Sequence, residues 1–207
     1  MPLLAGGATA ALAVVVALPV VTALLPAAVL SGLPGTLDGA GRGKPAPAGP
    51  LAAPPQPGDG VRRPADPEAI AALLADPRVR LSPSASADIG TGTVDGRVIG
   101  VVALLSRTHT VAVSVVRTGH SELVAGTGRV SNHWFGRAVD VVEVDGEAVS
   151  AANASARHAV EELLAAPAPL RPDEVGSPFP DFDAPGAFSD SAHHDHLHIG
   201  FAAPPPP

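Results

Sequence analysis

The chain has 207 residues, of which 46% are hydrophobic and 16% are charged, and its 13 basic and 20 acidic side chains give a net charge of −7. It contains no Cys, which excludes a disulfide framework, a thiol nucleophile and a zinc site with cysteine ligands. The acidic balance disfavours nucleic acid as a partner, because nucleic-acid-binding domains present a basic face. The length fits one compact domain with additional segments.

The N-terminal segment is almost entirely apolar over residues 3–33, and the first charged side chain is Asp38. A membrane-spanning helix needs about 20 apolar residues, and prolines such as the two in this segment are tolerated in membrane helices. We therefore predict that residues 1–33 form a membrane anchor or an uncleaved signal. A cleaved signal peptide is the alternative, although the basic residues that normally precede its apolar core are missing.

A proline-rich segment follows over residues 34–65, where eight prolines stand among many Gly and Ala residues. Such a composition cannot build a packed core, so we predict a semi-extended linker. The proline-ending tail, residues 202–207, is predicted to be equally unstructured. Residues 66–201 remain as the domain, which is long enough for one core.

The pattern of residues 66–201 alternates between helix and strand. Asp66-Pro67 begins a helix, as an N-cap followed by proline at the first helical position, and Asp145-Gly146 indicates a hairpin. Apolar spacing and β-branched residues predict helices over 67–76, 94–106 and 151–166, and strands over 110–116, 137–144 and 194–201. We predict an α+β fold, in which helices flank a small, mostly antiparallel sheet.

Two potential metal ligands, His133 and Asp140, lie close together in the sequence. On a single extended strand they would point to opposite faces, too far apart to share one ion. They converge only if the chain turns between them, and Gly136 is where that turn costs least. Asp140 would then project from the next strand on the same face as Ala138, whose small side chain leaves room for a metal or a substrate.

A histidine cluster lies near the C-terminus, where four of the eight histidines fall between positions 193 and 198. In an extended strand His196 and His198 point to one face, and the apolar residues that alternate with them point to the core. Because the chain has no Cys, two imidazoles on one face fit part of a zinc site. His133, Asp140 and one of these histidines would leave a position open for water, as in catalytic zinc sites.

These two clusters also carry a family resemblance. The fixed positions of Ser-x-His-x-x-Gly-x-Ala-x-Asp are filled by Ser131, His133, Gly136, Ala138 and Asp140, and a His-x-His pair follows at 196 and 198. The pattern resembles the zinc D-alanyl-D-alanine carboxypeptidase-like peptidases, whose fold group (hedgehog/DD-peptidase) includes lysostaphin-type peptidases and the hedgehog signalling domain. The resemblance covers roughly residues 90–201, and it implies that His133, Asp140 and His198 bind one Zn²⁺.

The resemblance also bears on the general base. Family members commonly place an acid three residues before the last ligand, and Asp195 occupies that position. Strict strand alternation would aim Asp195 away from the metal, so it serves as the base only if it lies in the loop before the strand. His196 is the alternative, either as the base or as a group that stabilises the oxyanion. A base must come within ~3 Å of the atom whose proton it takes. We expect Asp195 to be the base.

Three residues are predicted to contact substrate. The substrate-holding arginine of the family lies upstream of the first motif, and Arg117 is the nearest candidate, with a solvated strand-end arginine as the alternative. Ser131 belongs to the motif, and Trp134 follows ligand His133 in a loop that would form the rim of the pocket. The acidic loop 180–192 would line one side of the cleft and would favour a basic group such as a peptide amine.

The resemblance implies a function. It predicts a hydrolase, a zinc metallopeptidase, that cuts a peptide bond in D-amino-acid-containing peptides of the bacterial cell wall, with a metal-bound water as nucleophile. The alternative is a non-catalytic, zinc-containing cell-wall-binding module, as in the hedgehog-like branch of the fold group. A non-haem iron oxygenase with two His and one carboxylate is a third interpretation, but that class usually spaces its first His and acid more closely.

The predicted substrate, peptidoglycan peptides, implies an extracytoplasmic domain in a bacterium, either anchored to the membrane through residues 3–33 or secreted. Arg42 and Lys44 follow the apolar segment, and by the positive-inside rule they would keep the domain in the cytoplasm. The two lines of evidence conflict, and we give precedence to the chemistry. The single Lys and the abundance of Ala, Gly, Pro and Arg are typical of high-GC genomes.

Overall fold

A computed structural model describes residues 61–204 of the chain. The predicted membrane segment 1–33 lies outside these residues, as do most of the predicted linker and the end of the tail. Within the described part, no helix is both long enough and apolar enough to cross a membrane. The same part contains four helices and seven strands, which confirms the predicted α+β class.

The helices are α1 (Pro67–Ala75), α2 (Pro83–Gly90), α3 (Gly96–Leu105) and α4 (Ala154–Ala165). The strands are β1 (Val79–Leu81), β2 (Val111–Val115), β3 (Ala138–Val144), β4 (Glu147–Ala148), β5 (Glu174–Gly176), β6 (Ala187–Phe188) and β7 (Leu197–Gly200).

Each helix begins after a side chain that accepts a hydrogen bond from the first helical turn: Asp66, Ser82, Asp95 and Asn153. The helices predicted over 94–106 and 151–166 are confirmed, but they start two and three residues later because Asp95 and Asn153 are their caps. Helix α2 was not predicted, because few of its residues are apolar and only Ala85 and Ile89 among those are buried.

The seven strands form one open sheet in the order β1-β2-β3-β7-β5-β6, with β4 paired to β3. The pairs β1–β2 and β5–β6 are parallel, and the other pairs are antiparallel. The sheet is therefore mixed, with four antiparallel and two parallel pairs. Strands β1, β4, β5 and β6 have only two or three residues each, too few for a periodic pattern to show in the sequence.

The two faces of the central strands have different roles. Val139 of β3 is paired with Ile199 of β7, and both side chains belong to the buried core. The next pair along, Asp140 and His198, points to the opposite face because side chains alternate along a strand. A slip of one residue would exchange the two sets. Burying each large apolar side chain contributes roughly 1.5–3 kcal/mol to the stability of the fold. The apolar core therefore fixes the register, and the register keeps Asp140 and His198 on the other face.

Candidate metal centre

Three ligand atoms on that polar face form a nearly equilateral triangle. His133 Nε2 lies 3.1 Å from Asp140 Oδ1 and 3.1 Å from His198 Nδ1, and the latter two atoms are 3.2 Å apart. A tetrahedral ion with ligand bonds of ~2.0–2.2 Å has ligands about 3.3–3.6 Å apart. The three residues are buried. The triangle therefore fits a tetrahedral metal ion after shifts of a few tenths of an ångström.

A turn at Gly136 brings His133 to the strand that carries Asp140. Gly136 has φ +70°, and its amide donates a 2.8 Å hydrogen bond to the carbonyl of His133. A Cβ at this position would collide with the carbonyl oxygen of Thr93. The predicted turn is confirmed, and the structure adds that the turn packs against the segment before α3, where only glycine fits.

The outer nitrogens of both histidines have hydrogen-bond acceptors. His133 Nδ1 donates to the carbonyl of Val116 over 2.7 Å, and His198 Nε2 lies 3.4 Å from Glu174 Oε2. Once the inner nitrogens have lost any proton that they carry, they present lone pairs to the carboxylate of Asp140. Three acceptors that face one another repel unless a cation lies between them. Metal-binding histidines are typically oriented by an acceptor on the outer ring nitrogen, as both of these histidines are.

The electrostatics of the triangle favour that cation. Burial alone would raise the pKa of Asp140, but hydrogen bonds from His133 and His198 hold it well below its usual range. Burial alone would lower the pKa of His198, but the carboxylates of Asp140 and Glu174 raise it to about 9. The site stabilises a positive charge, so a proton and a metal ion compete for it.

Glu174 is a member of the site that sequence analysis missed. It lies on β5, its Oε2 accepts a 2.9 Å hydrogen bond from the side-chain amide of Asn132, and the hydrogen bond from His198 lowers its pKa to about 2. The pairing of Glu174 with Gly200 leaves room for the carboxylate. A three-residue strand gives no pattern by which the sequence could have indicated this contact.

His120 is a second residue that the sequence did not assign to the metal site. Its ring stacks on that of His133, with centroids 4.2 Å apart and planes 13° apart. The ligand atoms of His120, His133 and Asp140 lie within 4.8 Å of one another. His120 Nδ1 donates to the carbonyl of Ser121, and burial lowers the pKa of the ring, so Nε2 presents a lone pair.

Asp195 and His196 lie in the turn before β7. The strand predicted over 194–201 is wrong at its start, because β7 begins at Leu197. The carboxylate of Asp195 accepts a 2.9 Å hydrogen bond from His196 Nδ1, and His196 Nε2 lies 3.8 Å from Asp140 Oδ1. The side chain of Asp195 is 65% exposed and that of His196 only 21%. His196 therefore faces the triangle, and Asp195 lies behind it.

A cleft of about 650 Å³ is lined by the triangle residues Asp140 and His198 and by His196. Residues of the acidic loop between 186 and 192 line it as well, as predicted, and so does Ser131. Arg117 and Trp134 are not among the described residues that line it. The guanidinium of Arg117 instead donates a 3.1 Å hydrogen bond to the carbonyl of Trp134, and their contact with substrate stays a prediction.

Comparisons of the chain with protein families, with curated proteins and with solved structures found no match. The function is therefore inferred from the chemistry of the three candidate ligands, His133, Asp140 and His198. Two imidazoles and one carboxylate suit Zn²⁺ and other first-row ions that prefer nitrogen and oxygen ligands. With three protein ligands beside an open cleft, such an ion would keep a position for water or substrate.

Proposed function

We propose that this chain is a zinc-dependent peptidase that hydrolyses a peptide bond in D-amino-acid-containing peptides of bacterial cell wall. The observation that carries the proposal is the convergence of three buried acceptor atoms from His133, Asp140 and His198 beside a cleft. The motif resemblance to zinc D-alanyl-D-alanine carboxypeptidase-like peptidases supplies the reaction, and the mixed α+β sheet is compatible with a fold of the hedgehog/DD-peptidase kind.

The three ligands of the proposed site are arranged to hold Zn²⁺. When bound, Zn²⁺ supplies a Lewis acid that lowers the pKa of a coordinated water to ~7 and polarises the scissile carbonyl. Val116 and Glu174 orient the two imidazoles, and the contacts of Asp140 with His133 and His198 outweigh its burial and keep its carboxylate ionised. The chain thus prepares the site before substrate arrives, which is the arrangement that efficient catalysis requires.

His196 is the better placed of the two candidates for the general base. The carboxylate of Asp195 accepts a hydrogen bond from the proton-bearing Nδ1 of His196, which leaves a lone pair on Nε2 directed towards the triangle. In the proposed mechanism, Nε2 takes the proton from the attacking water and returns it to the leaving amine. Asp195 is then a positioning residue, although the family pattern favours it as the base.

Charged side chains of the cleft suit a peptide with both an amine and a carboxylate. Asp173 and Asp190 line the cleft and attract a basic group. Arg129 also lines it, and its guanidinium lies 3.4 Å from Glu174 Oε1, within reach of a substrate carboxylate. Arg129 therefore replaces Arg117 as our proposed contact for a terminal carboxylate.

The position of His120 favours a second candidate function. If His120 binds the ion together with the other three ligands, the metal has four protein ligands and no open position, as in structural zinc sites. The domain would then be a non-catalytic cell-wall-binding module that keeps zinc for stability. The two functions differ in what His120→Ala does: it weakens zinc binding in the module and spares zinc binding in the peptidase.

The proposal is tested with the full-length chain saturated with Zn²⁺ and incubated with muropeptides that end in D-alanine. The expected result is release of D-alanine or a shorter peptide, detected by mass spectrometry, with no release by His133→Ala. Zinc binding and muropeptide binding without any cleavage would establish the module instead. We further propose that the domain works outside the cytoplasm, held at the membrane by residues 3–33.

A further inference from the structure

A second cluster of metal-ligating side chains lies where α4 approaches the connection between α3 and β2. His158 and Glu162 are one turn apart on α4, and His109 lies in the connection. Glu162 Oε1 is 3.8 Å from His109 Nε2 and 3.7 Å from His158 Nδ1. The ligand atoms of the three residues lie within 4.8 Å of one another.

His109 contributes an unsatisfied atom to this cluster. The residue is only 5% exposed, and its Nε2 is the one buried side-chain nitrogen or oxygen of the described residues that lacks a hydrogen-bond partner. Buried polar atoms are almost always paired, so an unpaired one needs an explanation such as an ion that the structure does not contain. Glu162 Oε1, 3.8 Å from Nε2, is too distant for a hydrogen bond.

Neighbouring groups prepare His109 and Glu162 as ligands. The carboxylate of Asp145 accepts a 2.8 Å hydrogen bond from His109 Nδ1, which leaves a lone pair on Nε2. The second oxygen of Asp145 accepts from the Thr110 amide, so the carboxylate is itself held in place. Glu162 Oε2 accepts from the Thr108 hydroxyl over 2.9 Å, which leaves Oε1 facing the histidines. A carboxylate behind a histidine is the usual support of a metal ligand.

We propose that His109, His158 and Glu162 form a second binding site for a divalent transition-metal ion, with Zn²⁺ as the ion that two imidazoles and one carboxylate suit best. The side chain of His158 is 60% exposed, so the ion enters from solvent and keeps at least one water. None of the three residues is among the described residues that line the cleft. The bound ion ties α4 to the connection after α3, which makes its role structural or regulatory.

The experiment counts Zn²⁺ bound by the metal-free, full-length chain in isothermal titration calorimetry. Wild type should bind two ions, and His158→Ala and Glu162→Gln should each bind one. Glu161→Gln is the matched control, because Glu161 is the adjacent exposed residue and pairs with Arg157 instead. Asp145→Asn should weaken the second site by about 10- to 100-fold, the usual effect of removing an outer partner of a metal ligand. Asn tolerates the φ of +53° at that position.

This experiment tests the two proposed metal sites independently. His133→Ala should remove one ion and leave the ion that depends on His158, and the double variant should bind none. The second site is refuted if His158→Ala and Glu162→Gln bind as many ions as wild type with unchanged affinity. Because His158 is exposed, circular dichroism of its variant should match that of wild type, so a lost ion reports on the ligand and not on folding.

Discussion

The carboxylate of Asp195 accepts a hydrogen bond from Nδ1 of the adjacent His196 over 2.9 Å, and this contact orients the imidazole. The opposite nitrogen of the ring lies 3.8 Å from Oδ1 of Asp140, at the edge of the proposed metal centre. In the proposed peptidase, the acid that the resembled family uses for proton transfer would therefore act through a histidine.

Variants of this pair separate the base from its positioning residue. His196→Ala should reduce hydrolysis by the zinc-loaded chain by roughly 10²-fold or more, the usual contribution of a positioned base. Asp195→Asn should cost less, since the amide oxygen still accepts from Nδ1 of His196. Initial rates on muropeptides give the comparison, and zinc content should not change. His194→Ala, with a side chain 72% exposed, is the control. A larger loss in Asp195→Asn than in His196→Ala would identify Asp195 as the base.

Glu174 should set the zinc affinity of the first site through His198. Removing the outer partner of a metal-binding histidine typically weakens metal binding by about 10- to 100-fold. We expect Glu174→Ala to show this loss in competition with a chelator, and Glu174→Gln to show a smaller one. Asp173→Asn is the matched control, because its carboxylate accepts from the Ala202 amide and not from the ring. Equal affinities for Glu174→Ala and wild type would contradict this role.

Gly136 should be required for the geometry of the metal centre. Gly136→Ala places an L side chain at φ +70° and drives its Cβ into the Thr93 carbonyl, so His133 must move. The strain alone costs about 1–2 kcal/mol. We expect lower thermal stability together with at least tenfold weaker zinc binding. Gly126→Ala isolates the strain, since Gly126 has φ +72° but open space around its Cβ position. That control should keep full zinc affinity, and a Gly136→Ala variant that also keeps it would be contrary to the prediction.

The buried pair of Asp95 and Arg97 should contribute stability that depends on pH. Arg97 Nε and Nη2 donate to the two carboxylate oxygens over 2.9 and 3.0 Å. Burial alone would raise the pKa of Asp95, but the bonds from Arg97 and from the Arg63 amide bring it below its usual value. Its stabilising contribution is therefore complete above the unfolded-state pKa of ~3.9 and is lost as the pH falls through the lower folded-state value.

Asp95→Asn tests this contribution, because Asn preserves the N-cap of α3 but removes the charge and the oxygen that accepts from Arg97 Nη2 and the Arg63 amide. At pH 7 we expect a loss of about 3–5 kcal/mol in the free energy of unfolding, since Arg97 is left buried without its partner. In urea unfolding, the difference from wild type should narrow below pH ~4. Asp66→Asn, at the exposed cap of α1, should change stability by less than about 0.5 kcal/mol. A difference that is constant between pH 7 and pH 3 would exclude the ion pair as its source.

Local patterns in the sequence determined much of the fold. Asp66-Pro67 predicted the start of α1, the β-branched run predicted β2, and Asp145-Gly146 predicted the hairpin from β3 to β4. These features depend on residues within a few positions of one another, so their physical causes can be read directly from the order of the residues. The turn at Gly136 is also a local feature, because it depends on the backbone conformation of one glycine.

Tertiary structure decided the contacts that complete the site. His133 and His198 are 65 residues apart, and Glu174 reaches His198 only through the pairing of β5 with β7. The stacking of His120 and the orientation of Asp195 likewise follow from how loops pack over the sheet. No local propensity encodes these contacts, because they depend on sheet order and register, which the burial of the whole apolar face determines. The sequence thus identified the candidate metal-ligating residues, and the packed sheet determined which other side chains surround those residues.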